Sequence, residues 1–402
     1  MKKFFFLTCL SVCLIACNQN PESGHVRTEN GVNYVSSSPL NAVEGSLSDF
    51  FTDIEYIWLK DDQDGSEIGE ISTILAAPDF MIVVDDWVCN CLQLFDYEGN
   101  FVRKIKSFGQ GPGRYMDITE VRLKDDKIYL MDGATQKMLT FDYQGTLLKE
   151  LKLPFRAASF SFDPKTEDFY FYIGGKDPEL THEVVLTDAS FNIKKKFLPF
   201  REDLYYGKTR DRSNFWNVGD QTVFLRSDLD TLYMIGDDNL RPYIVFSYGE
   251  FGIDHSEYQR MEKELSRKEF LDHKNTNRRF KLSALGNLNR RWLMLMNGYQ
   301  EQSYSSMLDL KENKLYLIQS PIPNDLDEGI DPYRPHLTLD NDRMAISKPG
   351  KTLYKAVQEK KSGMSQEEWE TYVKGKGRKL VRAAFNAQKS ENPVLMVFNP
   401  KP

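Results

Sequence analysis

Little in this chain belongs to the familiar vocabulary of catalysis. Its five histidines, His25, His182, His255, His273 and His336, are scattered, so the His-Glu-x-x-His helix of zinc hydrolases is missing. Gly-x-Ser-x-Gly is missing too, which removes the nucleophile elbow of the serine hydrolases. Beyond residue 17 no apolar run approaches the ~20 residues that cross a bilayer. Cysteine stops at position 91, and no second Cys or His pair lies near Cys89 and Cys91 to complete a zinc site. Positive charge is the minority sign, 52 Lys and Arg against 59 Asp and Glu. That balance lacks the basic face that a nucleic-acid binder needs to neutralise phosphates. Sites assembled from residues far apart in sequence leave no motif, so an enzyme is disfavoured rather than excluded.

What is present begins at the N-terminus. Lys2 and Lys3 precede an apolar run from Phe4 to Ile15, which Ala16 and Cys17 close. A charged start, a short greasy stretch and a small residue before the cut form an export signal over residues 1–16, not a membrane span. The cysteine after Leu14-Ile15-Ala16 resembles a bacterial lipobox, which implies that Cys17 is lipidated and becomes the new N-terminus. Each buried acyl CH₂ contributes about 0.8 kcal/mol, and two chains hold a protein stably on a membrane. The expected address is the outer membrane, through an N-terminal lipid, with the body facing the periplasm or the cell surface. Residues 17–46 are polar and read as a flexible tether, so folded sequence is expected over 47–402.

The decisive pattern is an internal repeat. Met81-Ile-Val-Val-Asp85 and Leu94-Phe-Asp-Tyr-Glu-Gly-Asn100 are answered by Ile128-Tyr-Leu-Met-Asp132 and Thr140-Phe-Asp-Tyr-Gln-Gly-Thr146, at a spacing of 46–47 residues. A period in the forties, with several short period-two strands per unit, is the signature of β-propeller blades. Gly99 and Gly145 supply the positive φ of a hairpin turn between the two outer strands. Fainter copies follow around residues 168–188, 222–246, 291–318 and 336–347, the last completed by terminal strands. The expected fold is all-β, a six-bladed β-propeller, with Asn392-Pro-Val-Leu-Met-Val-Phe398 closing the ring against the other end of the chain. Two helical insertions are expected, at about 254–273 and about 353–382. In the second, Ser365-Gln-Glu-Glu368 has the form of a capping box.

Several groups of residues invite a chemical reading. Cys89 and Cys91 read as packed free thiols, with a local redox bridge and a metal pair as the alternatives. Gly109-Gln-Gly-Pro-Gly113 lacks the Lys-Ser/Thr and the helix of a phosphate loop, so it reads as a structural loop near the propeller mouth. Asp325, Asp327, Glu328, Asp331 and His336 fall within twelve residues. They fit either a solvated acidic loop or a set that orients a ligand or Ca²⁺, although the EF-hand order is not met. Tyr205, Tyr206 and Trp216 stand among basic residues and would suit stacking on a sugar or peptide, against the commoner fate of packing between blades. The basic run Lys374-Gly-Lys-Gly-Arg-Lys379, with Arg382, reads as a solvated face that could also dock a partner or lipid headgroups.

The lipobox, Asp53-Ile-Glu-Tyr-Ile-Trp-Leu59, the Gly109–Gly113 loop, Asp230-Thr-Leu-Tyr-Met-Ile235 and Asn392-Pro-Val-Leu-Met-Val together resemble the six-bladed β-propeller lipoproteins of Bacteroidota. These are related in fold to NHL-repeat and TolB-like propellers, and the likeness covers roughly residues 47–400. It implies fold and compartment and carries no settled activity. The leading expectation is a membrane-anchored, non-enzymatic propeller that binds a ligand or an envelope protein. The alternative is a propeller hydrolase or lyase acting on glycans or lactones, with Ca²⁺ as its candidate cofactor.

Overall fold

The apolar residues alternate in short runs, and in the computed structural model those runs are strands. The structure describes residues 24–174, 179–205, 213–219, 221–236, 239–282, 287–333, 337–339 and 343–401. Six sheets are present among them, each with a core of four antiparallel strands. Sheet 1 comprises Thr73–Ala76, Met81–Asp85, Cys91–Phe95 and Phe101–Ile105; sheet 2 comprises Glu120–Lys124, Lys127–Asp132, Lys137–Asp142 and Leu147–Lys152. Sheet 3 comprises Ser159–Phe162, Phe169–Tyr172, His182–Thr187 and Ile193–Pro199; sheet 4 comprises Phe215–Val218, Gln221–Leu225, Thr231–Gly236 and Asn239–Ser247. Sheet 5 comprises Asn287–Leu288, Trp292–Tyr299, Gln302–Asp309 and Lys314–Gln319. Sheet 6 takes Leu337–Thr338, Met344–Pro349 and Pro393–Pro400 from the end of the chain and Phe51–Trp58 from near its start.

The middle strands are apolar on both faces because each sheet is packed between two others. Met81–Asp85 and Cys91–Phe95 are buried at every position, whereas the outer strand Phe101–Ile105 alternates. Ile82 and Leu92 meet Val121 and Leu139 between sheets 1 and 2. Met131 and Met138 meet Phe160 and Phe171 between sheets 2 and 3, and Tyr172 and Leu186 meet Phe215 and Phe224 between sheets 3 and 4. Leu232 and Phe246 meet Leu293 and Leu308, and Met294 and Met307 meet Met396 and Phe398. Leu395 and Val397 of sheet 6 then meet Met81 and Phe95 of sheet 1, so the order of contact is cyclic. Burying each large apolar side chain contributes about 1.5–3 kcal/mol, and the seams together are the core.

The repeat seen in the sequence is a repeat of turn chemistry. Asp96 Oδ1 accepts from the N–H groups of Glu98 and Asn100, and Asp142 and Asp188 hold the equivalent turns of sheets 2 and 3. A bulge breaks the register beside the outer turn in three sheets, at Leu94/Phe95, Thr140/Phe141 and Leu186/Thr187, and sheet 4 has its own at the opposite end of the strand, at Leu232/Tyr233. Gly99 lies at φ +81°, and a Cβ there would fall 2.0 Å from the Trp58 carbonyl oxygen. Glycine at 99 therefore serves both the turn and the contact with sheet 6.

Two expectations are corrected. Residues 24–46 do not form a flexible tether: His25–Glu29 and Val32–Ser36 make a hairpin whose second strand pairs in parallel with Asn239–Ser247. Val35 is buried there, so one apolar anchor outweighs the polar composition of the segment. Cys89 and Cys91 are not free thiols but a disulfide. A shared strand would hold them too far apart; instead Cys89 lies in a turn, Asn90 adopts φ +51°, and the Cα atoms come within 5.2 Å. Five α-helices are present among the described residues: α1 His255–Glu264, α2 Arg267–Thr276, α3 Gly350–Ser362, α4 Gln366–Lys374 and α5 Arg378–Asn386. Asp254 caps α1, and Ser365 with Glu368 forms the capping box of α4.

Candidate functional site

In an antiparallel four-stranded meander the turn between the second and third strands lies at the same end as the passage to the next sheet. All five helices, the Gly109–Gly113 loop, the 324–331 loop and the Cys89–Cys91 turn occupy such connections. They therefore share one face of the molecule, onto which the inner strands open.

The inner strands of sheets 2, 3 and 4 are tied together by polar groups. Ser159 Oγ donates to Asn214 Oδ1 at 3.0 Å, and Arg122 Nη2 donates to the Phe215 carbonyl at 3.0 Å. Buried Glu120 accepts from the Ser213 N–H at 3.0 Å, and Arg122 Nε lies 3.0 Å from its carboxylate. Burial pushes the Glu120 carboxyl above its ordinary value, with Arg122 and the Ser213 N–H opposing. This ion pair holds a titratable group among the inner strands.

A second charged cluster fixes α1 and α2 to sheet 4. Asp228 sits 2.5 Å from Lys281 Nζ and 4.0 Å from Lys274 Nζ. Burial works to raise its pKa, yet the two ammonium groups leave it lowered. Lys274 Nζ stands 5.1 Å from the Tyr205 ring centre, 5.5 Å from Tyr258 and 5.6 Å from Phe270. Three aromatic faces thus enclose one cation. Beside them His255 Nδ1 accepts from the Tyr205 N–H at 3.2 Å, which requires that nitrogen to be unprotonated.

The residues singled out in the sequence lie as follows. Asp325 accepts from Ser46 Oγ, Ser48 N–H and Ser48 Oγ, and so pins the short helix Leu47–Asp49. Asp327 is buried, not solvated, and accepts from Tyr56 Oη at 2.5 Å, Asn324 Nδ2 at 2.8 Å and the Gly329 N–H at 2.9 Å. Its carbonyl accepts from Tyr372 Oη at 2.7 Å. Glu328 pairs with Lys360 and Lys376, and Asp331 accepts from the Asn324 N–H. The four carboxylates point to four different sets of partners. Among the described residues no group of three or more His, Cys, Asp or Glu side chains is arranged to hold a metal ion. Tyr205 is buried beneath α1 and α2 rather than presented to a ligand, and Trp216 is half-buried against the seam of sheets 4 and 5. These two rings belong to different clusters. Cys17, Tyr206 and His336 lie outside the described residues.

The structure also forms a groove from segments far apart in the sequence. Helix α5 lies along the outer strand Phe51–Trp58 and leaves a cleft of about 630 Å³. Tyr56, Trp58 and Tyr97 supply its aromatic surface, and Lys60, Arg343, Lys379 and Arg382 its cations. Trp58 is oriented by a 3.0 Å bond from Nε1 to Ser390 Oγ. Arg343 lies 3.7 Å from Glu55, and Lys379 Nζ lies 2.6 Å from Asp53, while exposed Arg382 faces the cleft. A second cleft of about 590 Å³ continues along α5 past Lys374, Arg378 and Phe385. The basic run is visible in the sequence; the aromatic wall opposite it comes from a strand and a turn more than 270 residues earlier.

A family model for a domain of unknown function, DUF4934, matches residues 35–399, from the buried edge of the N-terminal hairpin to the closing strand. The chain belongs to the DUF4934 family. Its fold is shared with an exported protein of Bacteroides fragilis NCTC 9343, at 14% identity and a TM-score of 0.73, over 92% of this chain and 100% of that one. A DUF4221 member from Bacteroides vulgatus ATCC 8482 is similar at 10% identity and a TM-score of 0.50, over 87% and 97%. No curated protein matches the sequence. This DUF4934 chain is thus a mostly β protein of stacked four-stranded antiparallel sheets with a β-propeller fold. Among its described residues no helix is long and apolar enough to cross a membrane.

Proposed function

We propose that this protein is a six-bladed propeller lipoprotein of the bacterial envelope, anchored through Cys17, that binds an acidic sugar in the groove between α5 and the strand Phe51–Trp58. The observation that carries the reading is the pairing of an aromatic wall, Tyr56, Trp58 and Tyr97, with the cations Lys60, Arg343, Lys379 and Arg382 across one cleft of about 630 Å³. Aromatic faces stack on sugar rings, cations answer a uronate carboxylate, and a cleft of ~300–1,000 Å³ suits a small ligand. The signal-like residues 1–16 and the shared fold with an exported protein support the envelope address, and six cyclically packed sheets support six blades. Titration calorimetry with a galacturonate oligosaccharide tests it. Wild-type chain is expected to bind, Arg382→Glu to bind at least tenfold more weakly, and the matching neutral oligosaccharide to bind poorly. Equal binding of the neutral sugar would reject the charge argument.

One observation favours an enzyme instead. Glu120, on an inner strand, is a buried carboxyl whose pKa lies above its ordinary value, a state that suits a general acid. A hydrolase or lyase acting on glycans or lactones would use it, and Glu120→Gln would then abolish turnover. The carboxylates of 324–331 are each engaged by protein donors, so this reading places no Ca²⁺ on them; a Ca²⁺-dependent rise in melting temperature would contradict that.

A further inference from the structure

We propose that the Cys89–Cys91 disulfide exchanges with the thiols of a protein partner that docks on Trp87 and Val88. The cross-link joins residues two apart in sequence. Constraint of the unfolded chain grows with the length of the closed loop, so so short a loop gains the least stability from it. The turn, moreover, is held by other means. Asp85 Oδ1 accepts from the N–H groups of Val88 at 2.8 Å and Cys89 at 3.0 Å, and its Oδ2 accepts from those of Gly69 and Glu70. Tyr115 Oη donates to the Asn90 carbonyl at 2.9 Å and fixes the residue between the two sulfurs.

The molecule contains its own control. In sheet 2, Asp132 Oδ1 accepts from Ala134 N–H at 2.9 Å and Thr135 N–H at 3.1 Å in the corresponding turn, which is one residue shorter and has no cysteine. An aspartate clamp thus closes the sheet 2 turn without a disulfide, and the bridge in sheet 1 is additional to its own aspartate clamp. Trp87 and Val88 are 74% and 63% exposed, while the other four tryptophans are buried or half-buried. Large apolar side chains held out in water next to a reactive group suit the docking of an apolar segment.

Access decides which sulfur reacts. Cys91 is fully buried and Cys89 is half-exposed. A partner thiolate attacks Cys89 Sγ, the Cys89–Cys91 bond breaks, and Cys91 leaves as a thiolate. A second partner thiolate then attacks the partner's own sulfur in the mixed disulfide and expels the Cys89 thiolate. The partner departs as a disulfide, two electrons have passed to this chain, and the two protons given up by the partner thiols return to Cys89 and Cys91. The required reductant is a protein dithiol, and a partner disulfide runs the same steps backwards. The proposal rests on residues outside the α5 groove, so either can fail without the other.

The test is differential alkylation of the full chain equilibrated in glutathione buffers, read by mass spectrometry on the peptide carrying both cysteines. The pair is expected to pass from oxidised to reduced within millimolar glutathione while circular dichroism stays native. A pair that stays oxidised until the chain unfolds, or that is already two free thiols, overturns the proposal. A Cys89→Ser/Cys91→Ser chain is expected to keep its melting profile; loss of folding would make the bridge structural and overturn it too. Trp87→Ser/Val88→Ser should slow exchange with a reduced thioredoxin-type dithiol several-fold and leave the rate with glutathione unchanged. Equal slowing with both, or with neither, removes the docking role.

Discussion

Asp327 accepts three hydrogen bonds, from Tyr56, Asn324 and Gly329, on an almost waterless site where the sequence alone offers an acidic loop. The difference has a physical cause: its partners Tyr56 and Tyr372 lie far away along the chain, and adjacency in sequence grouped it with carboxylates it does not face. Burial, and then the Asp327 charge, push the Tyr56 hydroxyl well above its ordinary pKa, so it stays a donor throughout the neutral range. A hydrogen bond to a charged acceptor is worth about 1.5–3 kcal/mol, and Tyr56→Phe is expected to destabilise the fold by about that amount. Because both variants delete the same bond, Tyr56→Phe and Asp327→Ala should be strongly non-additive in urea unfolding; additive losses would show that the bond contributes little. His255 gives a pH-dependent counterpart. Burial, with Arg226 nearby, holds its imidazole below the ordinary 6.5, although Asp228, Asp230 and Asp203 pull the other way. The unfolded chain therefore takes up its proton first as pH falls below 6.5, and the folded state loses stability there. His255→Gln should flatten the fall in melting temperature between about pH 7 and pH 5.

At the scale of elements, the first two sheets were legible because each kept both devices of its outer turn, an aspartate acceptor and a glycine of positive φ. In sheet 3 the aspartate persists as Asp188, but Phe191 occupies the left-handed position at φ +67° and is buried against Phe169 and Phe171. The bulge survives while its sequence mark is lost, so the later units faded. The two glycines that did mark the repeat are not equal. A side chain at 99 meets a backbone carbonyl at 2.0 Å, whereas at 145 it meets the movable side chain of Ile105 at 3.1 Å. Both substitutions to alanine pay roughly 1–2 kcal/mol for the left-handed backbone. Gly99→Ala should cost clearly more than Gly145→Ala in melting temperature, and the reverse order would refute the contact with Trp58. The N-terminal hairpin is illegible for a different reason: strands of five residues with one buried residue, Val35, leave no periodicity to read. Removing residues 24–36 uncovers the edge of Asn239–Ser247, and light scattering is expected to show self-association of the shortened chain.

For the whole molecule, the period in the forties foretold stacked sheets, and closure of the strand 51–58 against 393–400 makes their order cyclic. The groove could not be foretold in the same way. It exists only because that closure sets an N-terminal aromatic strand beside a helix inserted near the C-terminus, with Arg343 between them. The charged cluster at Glu120 arises likewise, from inner strands whose side chains meet only in the assembled ring. The measurement that decides between these two places is a crystal structure of the full chain soaked with a galacturonate oligosaccharide. Sugar density is expected in the α5 groove, with a ring stacked on Trp58 or Tyr97 and a carboxylate against Arg382. Sugar beside Glu120, with the groove empty, would contradict that.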